Sequence, residues 1–145
     1  MEFYHVKEVW QQALVYEIRK KTFVEGQQIP IQQEFDELYG QTYHYVLLVN
    51  EDQGVATARI KLLSDVKAKI ERVAVTPEYK GQGYGRMLLE AAEKWLSKTG
   101  VETIIIMSQK KARGFYEALG YQTNEQMKID SAIPQVYTEK RIKRG

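Results

Sequence analysis

The sequence predicts an α/β (α+β) fold: a mixed sheet of six to seven strands with helices on both faces. Three observations carry this. Residues 43–75 fall into three strand-like segments separated by turns, the first rich in aromatic and β-branched residues and the next two alternating between faces, as an antiparallel meander does. The period then lengthens to that of an amphipathic helix from Tyr84 onward. An apolar run, Ile104-Ile105-Ile106-Met107, follows that helix. Strand, helix, strand in series implies a right-handed parallel crossover, so one sheet holds both kinds of pairing.

Each element has its own signal. Phe3 to Val6 reads as a short first strand. Trp10, Leu14, Ile18 and Thr22, with Ala13 beside them, recur every four residues and mark one face of a helix from about Lys7 to Val24. Gly26 and Pro30 end it. Residues 27–40 are polar, with an acidic group Glu34, Asp36 and Glu37, and read as a solvated loop or short helix. Tyr43 to Val49 is aromatic and β-branched. In Val55 to Leu63, Thr57, Arg59 and Lys61 share one face. In Lys67 to Val75, Lys69, Glu71, Val73 and Val75 do. The helix after Tyr84 presents Met87, Leu88, Ala91, Ala92, Trp95 and Leu96, and Gly100 closes it. A further helix carries Ala112, Phe115, Tyr116 and Leu119. Strands around Tyr121 to Ile129 and Val136 to Ile142 complete the order. With 145 residues and no linker or repeat, residues 1–145 are expected to form a single domain.

Composition narrows the function. The chain is 43% hydrophobic and 28% charged, ordinary for a globular protein. It has no cysteine, so disulfides, thiolate metal sites and an acyl-cysteine intermediate are excluded, which fits a cytoplasmic setting. His5 and His44 stand in no ligand pattern, and no metal site is expected. A net charge of +2 is too small to argue for nucleic acid, and the basic stretch Lys140 to Arg144 reads as a solvated tail. No apolar run is long enough to span a membrane, and the first residues are no signal peptide.

The sharpest motif is Lys80-Gly81-Gln82-Gly83-Tyr84-Gly85-Arg86, between a strand and an amphipathic helix. Glycines let backbone N–H groups converge, and the helix N-terminus adds partial positive charge. The combination suits phosphate or pyrophosphate, with Lys80 and Arg86 as flanking cations. Arg86 stands where a dinucleotide fingerprint needs glycine, and the Gly-Lys-Ser/Thr ending of a P-loop is absent. A glycine-rich turn without a ligand is the other reading of the spacing.

These residues resemble the GNAT superfamily of N-acetyltransferases, whose signature Arg/Gln-x-x-Gly-x-Gly/Ala stands here as Lys80 to Gly85. A second signature, Asn-x-x-Ala-x-x-x-Tyr-x-x-x-Gly-Phe/Tyr, is matched from Gln109 through Ala112, Tyr116 and Gly120 to Tyr121. Lys80 keeps the charge of the usual Arg, and Gln109 keeps the amide of the usual Asn. The first third, with Phe23 to Gln27, Ile29-Pro30 and Ala56 to Ile60, is similar to the small bacterial proteins of the YjcF/ElaA type. Those often carry Ile-Pro-His near the end, where this chain has Ile133-Pro134-Gln135.

The resemblance implies a GNAT fold, acetyl-coenzyme A as acyl donor, and direct attack by an amine in a ternary complex. The acceptor is a small molecule or a peptide amine. It implies pyrophosphate binding by Lys80, Gly81, Gln82, Gly83, Tyr84, Gly85 and Arg86. Further cofactor contacts come from Val73, Ala74 and Val75 through their backbone, and from Gln109, Ala112 and Phe115. Tyr116 holds the family's tyrosine position and is the candidate acid for the leaving thiolate; packing at the core edge is its other reading. Glu71 is the candidate base, with a salt-bridged strand glutamate, or a water chain in its place, as alternatives. Arg59, Arg72 and His44 line the acceptor side or serve structure. A GNAT module that binds acetyl-coenzyme A without turnover is the competing function, and thioester cleavage separates the two. Pairing of the C-terminal strands across a homodimer is left open.

Overall fold

The computed structural model describes residues 1–127, 129, 131 and 133–143. In chain order the elements are β1 (Glu2–His5), α1 (Val9–Arg19), α2 (Ile31–Glu34), β2 (His44–Asn50), β3 (Gln53–Leu62), β4 (Lys67–Val75), α3 (Tyr84–Lys98), β5 (Thr103–Gln109), α4 (Arg113–Ala118), β6 (Gln122–Asn124) and β7 (Gln135–Arg141). The seven strands follow the order β1-β2-β3-β4-β5-β7-β6. The chain divides into two compact units, Met1–Ile60 with Arg72–Ala92, and Lys61–Glu71 with Glu93–Gly145. The divisions at 71/72 and 92/93 cut through β4 and α3, which are continuous elements.

In the first unit β1, β2 and β3 pair antiparallel, with Phe3 opposite Leu48 and Val46 opposite Ala58. Residues 45–49 and 55–60 are buried without alternation, so both faces of these strands are covered. The half-buried alternation expected for Val55 to Leu63 is corrected on that point. One core gathers Val15 and Ile18 of α1, Phe23, Tyr45, Leu47 and Val49 of β2, and Ala74 of β4.

The inner face of α1 differs from the expected stripe. Trp10 is 46% exposed and Ala13 is exposed, while Gln11, Val15, Ile18, Arg19, Thr22 and Phe23 are buried. The helix starts at Val9 rather than Lys7 because the Gln11 amide oxygen accepts the backbone N–H groups of Lys7 (2.8 Å) and Glu8 (3.0 Å), closing a capping box. Past Arg19 the helix widens into a π-turn over Lys20–Glu25, which shifts the buried face further. It ends at Gly26, whose N–H reaches the Lys21 carbonyl at 3.0 Å; a Cβ there would lie 2.5 Å from the Thr22 carbonyl oxygen.

β4 carries a backbone irregularity. Arg72 has φ +55° inside the strand. An L-residue pays about 1–2 kcal/mol for left-handed backbone. Burial along β4 nonetheless keeps the expected period of two: Ala68, Ile70 and Ala74 are buried, and Lys69, Glu71, Val73 and Val75 are half-buried, so the departure at Arg72 is one of backbone conformation.

In the second unit the start of β4 pairs parallel with β5 over Lys67↔Thr103, Ala68↔Ile104 and Lys69↔Ile105. β7 pairs antiparallel with β5 from Thr103↔Arg141 to Gln109↔Gln135, and with β6. Leu96, Val101, Ile104, Ile105, Ile106 and Tyr121 are buried. The strand expected over Tyr121 to Ile129 is only Gln122–Asn124: the Asn124 side chain accepts the Gln126 N–H at 3.1 Å and turns the chain. Lys128 of that expected strand lies outside the described residues. The basic segment is no free tail at its start: Lys140 belongs to β7, and its Nζ contacts Glu93 Oε1 (2.8 Å) and the Leu119 carbonyl (2.7 Å). Arg144 lies outside the described residues. Met87 and Phe115, expected on buried faces, are exposed, while Leu88 and Leu89 are buried.

Candidate active site

The glycine motif bridges a single 3-10 turn, Pro77–Tyr79, and α3. Gly81 and Gly83 adopt φ +75° and +87°, which a side chain resists and glycine does not. Met87 N–H bonds the Gly83 carbonyl at 3.1 Å, the first such bond of α3. The N–H groups of Tyr84, Gly85 and Arg86 thus belong to the first helical turn, which has no intrahelical acceptors. Gly85 is buried within that turn. The Gln82 amide donates to the Glu78 carbonyl at 3.3 Å, and the Tyr84 ring meets Tyr79 edge-on at 5.6 Å. Lys80 is exposed. Arg86 is not the free cation expected of it: Nε pairs with Glu90 Oε1 at 2.6 Å. The cradle is thus mainly backbone.

The same unit holds Val73, Ala74 and Val75 and a charge cluster. Arg19 is fully buried; its Nε contacts Glu34 Oε2 (2.9 Å), Nη2 the Glu34 carbonyl (2.7 Å), and Nη1 bonds Glu37. Arg59 is buried and grips Asp36 with both Nη atoms (2.6 and 3.3 Å), reaching Glu37 at 3.1 Å. Arg72 Nη2 contacts Asp36 Oδ2 at 3.1 Å, and its buried Nε lies 3.3 Å from Glu34 Oε2 as an ion pair without a hydrogen bond. Three guanidinium groups face three carboxylates, so the acidic group is a compensated network and not a solvated loop. Burial alone would raise the Glu37 pKa, but hydrogen bonds from Arg19 and Tyr45 override it and hold the carboxyl at about 2. Burial raises that of Glu34 against its arginine partners.

A cleft of about 590 Å³ opens beside Glu37, lined by Gln12, Tyr16, Phe35, Tyr39 and Tyr43 among others. Arg19 and Tyr16, which shape this region, were missed in the sequence; a charged residue at an inner helical position was the available signal. His44 is exposed and stacks on His5, centroids 5.7 Å apart.

The second unit carries the other candidates. Glu71 is half-buried, 3.6 Å from Lys69 Nζ. Gln109 ends β5 directly opposite Gln135 of β7, so two of the three positions that depart from the motifs of the resemblance are cross-strand partners. Ala112 closes the one-turn helix Lys110–Ala112 that leads into α4. Phe115 is exposed, with its ring edge-on to Tyr116 at 5.1 Å. Tyr116 is 7% exposed and also meets Tyr121 edge-on at 6.1 Å. Burial raises its phenol pKa well above 10.0.

The family model of the acetyltransferase (GNAT) family matches residues 13–121, which takes in the glycine loop and Tyr116. The chain belongs to the GNAT family. Among GNAT relatives, the uncharacterized N-acetyltransferase YjcF of Bacillus subtilis is 31% identical over 119 residues, 81% of this chain and 83% of its own. A crystal structure from Lactobacillus plantarum assigned as an N-acetyltransferase superposes with TM-score 0.88 at 27% identity, covering 97% of each chain. ElaA of Escherichia coli does so with TM-score 0.79 at 22% identity, covering 96% of this chain and 98% of its own. The GNAT fold and the likeness to YjcF and ElaA are borne out. As a member of the acetyltransferase (GNAT) family the chain takes acetyl-coenzyme A as its acyl donor; an aminoglycoside 6'-N-acetyltransferase at 13% identity shares the fold, with TM-score 0.77. It is an acyltransferase, and among its described residues no helix is long and apolar enough to cross a membrane.

Proposed function

We propose that the chain is an N-acetyltransferase that transfers the acetyl group of acetyl-coenzyme A directly to a small amine in a ternary complex. The observation that carries this is the left-handed glycine loop opening α3 in a chain of the GNAT family. Its backbone donors from Gln82 to Arg86 take the pyrophosphate, with Lys80 and Gly81 at the entry. Val73, Ala74 and Val75 present backbone groups to the pantetheine arm and to the thioester carbonyl, where negative charge develops. Gln109, Ala112 and Phe115 complete the cofactor contacts.

The amine nitrogen attacks the carbonyl carbon, a C–N bond forms, and the carbonyl electron pair moves to oxygen. Collapse of that intermediate breaks the C–S bond and gives an amide and coenzyme A. The ammonium proton passes to Glu71 or to a water chain. The departing sulfur takes its proton from Tyr116, whose raised pKa keeps the hydroxyl protonated throughout the physiological range. The free thiol product suits a reducing cytoplasm.

The acceptor enters the cleft beside Tyr16, Phe35 and Tyr43. Its volume suits a small molecule. Its aromatic walls and charge-compensated floor favour a monoamine with an apolar or aromatic body over a polycation. A peptide amine is the second acceptor class. A homodimer through the C-terminal strands would use β6, a three-residue edge strand, which is a poor template for pairing. The reading is tested by following free-thiol release from acetyl-coenzyme A with phenethylamine, spermidine and a short peptide as acceptors. Release fastest with phenethylamine supports it. Cofactor binding without release for any of the three overturns it in favour of a non-catalytic binding module.

A further inference from the structure

We infer that Asp36 and Glu34 are positioning residues: by holding the Arg72 guanidinium they keep the Arg72 backbone left-handed, and so aim the Val73 N–H at the thioester carbonyl. The inference rests on the proposed role of residues 73–75.

Arg72 stands apart from the other non-glycine residues with positive φ among those described. Gln28 and Glu51, both at φ +56°, occupy a loop and a hairpin turn, where such backbone is common. Arg72, at φ +55°, sits in a strand, where an extended conformation is the relaxed alternative. Something outside the strand must hold it there.

The side chain shows what does. Arg72 Nη2 meets Asp36 Oδ2 at 3.1 Å and its Nε lies 3.3 Å from Glu34 Oε2. An isolated exposed ion pair would be a weak restraint, but these carboxylates are themselves fixed. Asp36 is gripped by both Nη atoms of buried Arg59. Glu34 is buried and held through its side chain and its carbonyl by Arg19, which is fully buried. The guanidinium of Arg72 is therefore tied to two anchored points, and its main chain has little freedom to relax.

The consequence falls on the next peptide. Along a regular strand successive N–H groups point to opposite edges. A left-handed residue breaks that alternation and turns the following N–H, here that of Val73, out of the ladder. Extended backbone at Arg72 would aim this donor elsewhere. The segment 34–37 thus acts on the reaction without touching substrate or cofactor.

Calorimetric binding of coenzyme A and of acetyl-coenzyme A separates this effect from general damage. Both ligands carry the pyrophosphate, but only the second has the thioester carbonyl. In Asp36→Asn the preference for acetyl-coenzyme A over coenzyme A should narrow by about three- to tenfold, the size of one hydrogen bond. The affinity for coenzyme A should hold. Arg72→Ala should lose the preference in the same way. Arg72→Gly should keep it, because glycine adopts positive φ without a clamp. In the Arg72→Gly background, Asp36→Asn should then cost nothing more.

The inference is overturned if Asp36→Asn weakens both ligands equally, or if its effect persists in the glycine background. If Asp36→Asn does not fold, the contrast between Arg72→Gly and Arg72→Ala decides alone, and equal preferences there overturn it. Coenzyme A binding without any preference in the wild-type chain sinks this inference alone. No binding of either ligand sinks the proposed function and this inference with it.

Discussion

Gly83 and Tyr116 are the residues at which the proposed chemistry is most exposed to test. A Cβ at Gly83 would meet nothing within 4 Å, yet its φ is +87°. Gly83→Val is therefore penalised by backbone strain and by the bulk it places in the anion cradle, not by a clash inside the protein. Gly83→Val and Gly85→Val should weaken coenzyme A binding more than Lys80→Ala, since exposed Lys80 offers only a screened charge. Titration calorimetry on folded variants checks this, and a larger loss from the lysine change would refute the backbone cradle. Tyr116→Phe keeps the ring that packs on Phe115 and Tyr121, so the melting temperature should barely move. Thiol release should fall by ~10²–10⁴, the usual worth of general acid assistance, at unchanged cofactor affinity. Unaltered turnover would return Tyr116 to packing alone.

At the scale of the element, the charge cluster separates pairs that matter from pairs that do not. Arg19→Met leaves Glu34 and Glu37 without their buried partner and should cost about 3–5 kcal/mol in urea unfolding. Arg86→Ala breaks an exposed pair with Glu90 and should cost about 0–1 kcal/mol. Equal losses would show that the cluster is ordinary surface electrostatics. The acid limb follows from signs. The folded pKa of Glu37 is depressed from 4.5 to about 2, so its stabilisation is complete above about pH 4.5 and is lost as pH falls toward about 2. Glu34, with a raised pKa, contributes with the opposite sign, losing stability as pH rises. Glu37→Gln should therefore flatten the loss of stability below about pH 4.5, measured by unfolding at fixed temperature; an unchanged acid limb would show that other carboxylates govern it.

These same elements show what periodicity conveys and what it omits. The antiparallel meander, the α3 helix and the glycine loop follow from local patterns, whereas the insertion of β7 between β5 and β6 does not. The inner face of α1 does not, because it buries Arg19 and Gln11, and their burial is stable only through partners 15 residues on and a cap at the helix start. The left-handed Arg72 is equally silent in the sequence: no glycine announces it, and its support comes from Asp36, distant along the chain.

For the molecule as a whole, the two motifs read from the sequence, Lys80 to Gly85 and Gln109 to Tyr121, lie within the stretch matched by the GNAT model. The cleft beside Tyr16 and Tyr43 was invisible beforehand because its walls come from α1 and the segment 35–43, which only folding brings together. On the function proposed above, recognition of the donor is local in sequence and recognition of the acceptor is not. This division gives the last prediction its form. A ligand bound by the native chain alone stabilises it by about 2.7 kcal/mol at a concentration 100 times its Kd. For a chain of 145 residues each kcal/mol raises the melting temperature by roughly 3–4 °C. Saturating coenzyme A should thus raise it by roughly 8–11 °C, and Gly83→Val should abolish most of that rise at the same concentration. Phenethylamine added alone should raise it less than coenzyme A does, and a larger rise in its presence when coenzyme A is already bound would mark an acceptor pocket coupled to the donor site. A melting temperature that ignores coenzyme A at all concentrations would remove the glycine loop from the cofactor site, whatever the family of the chain.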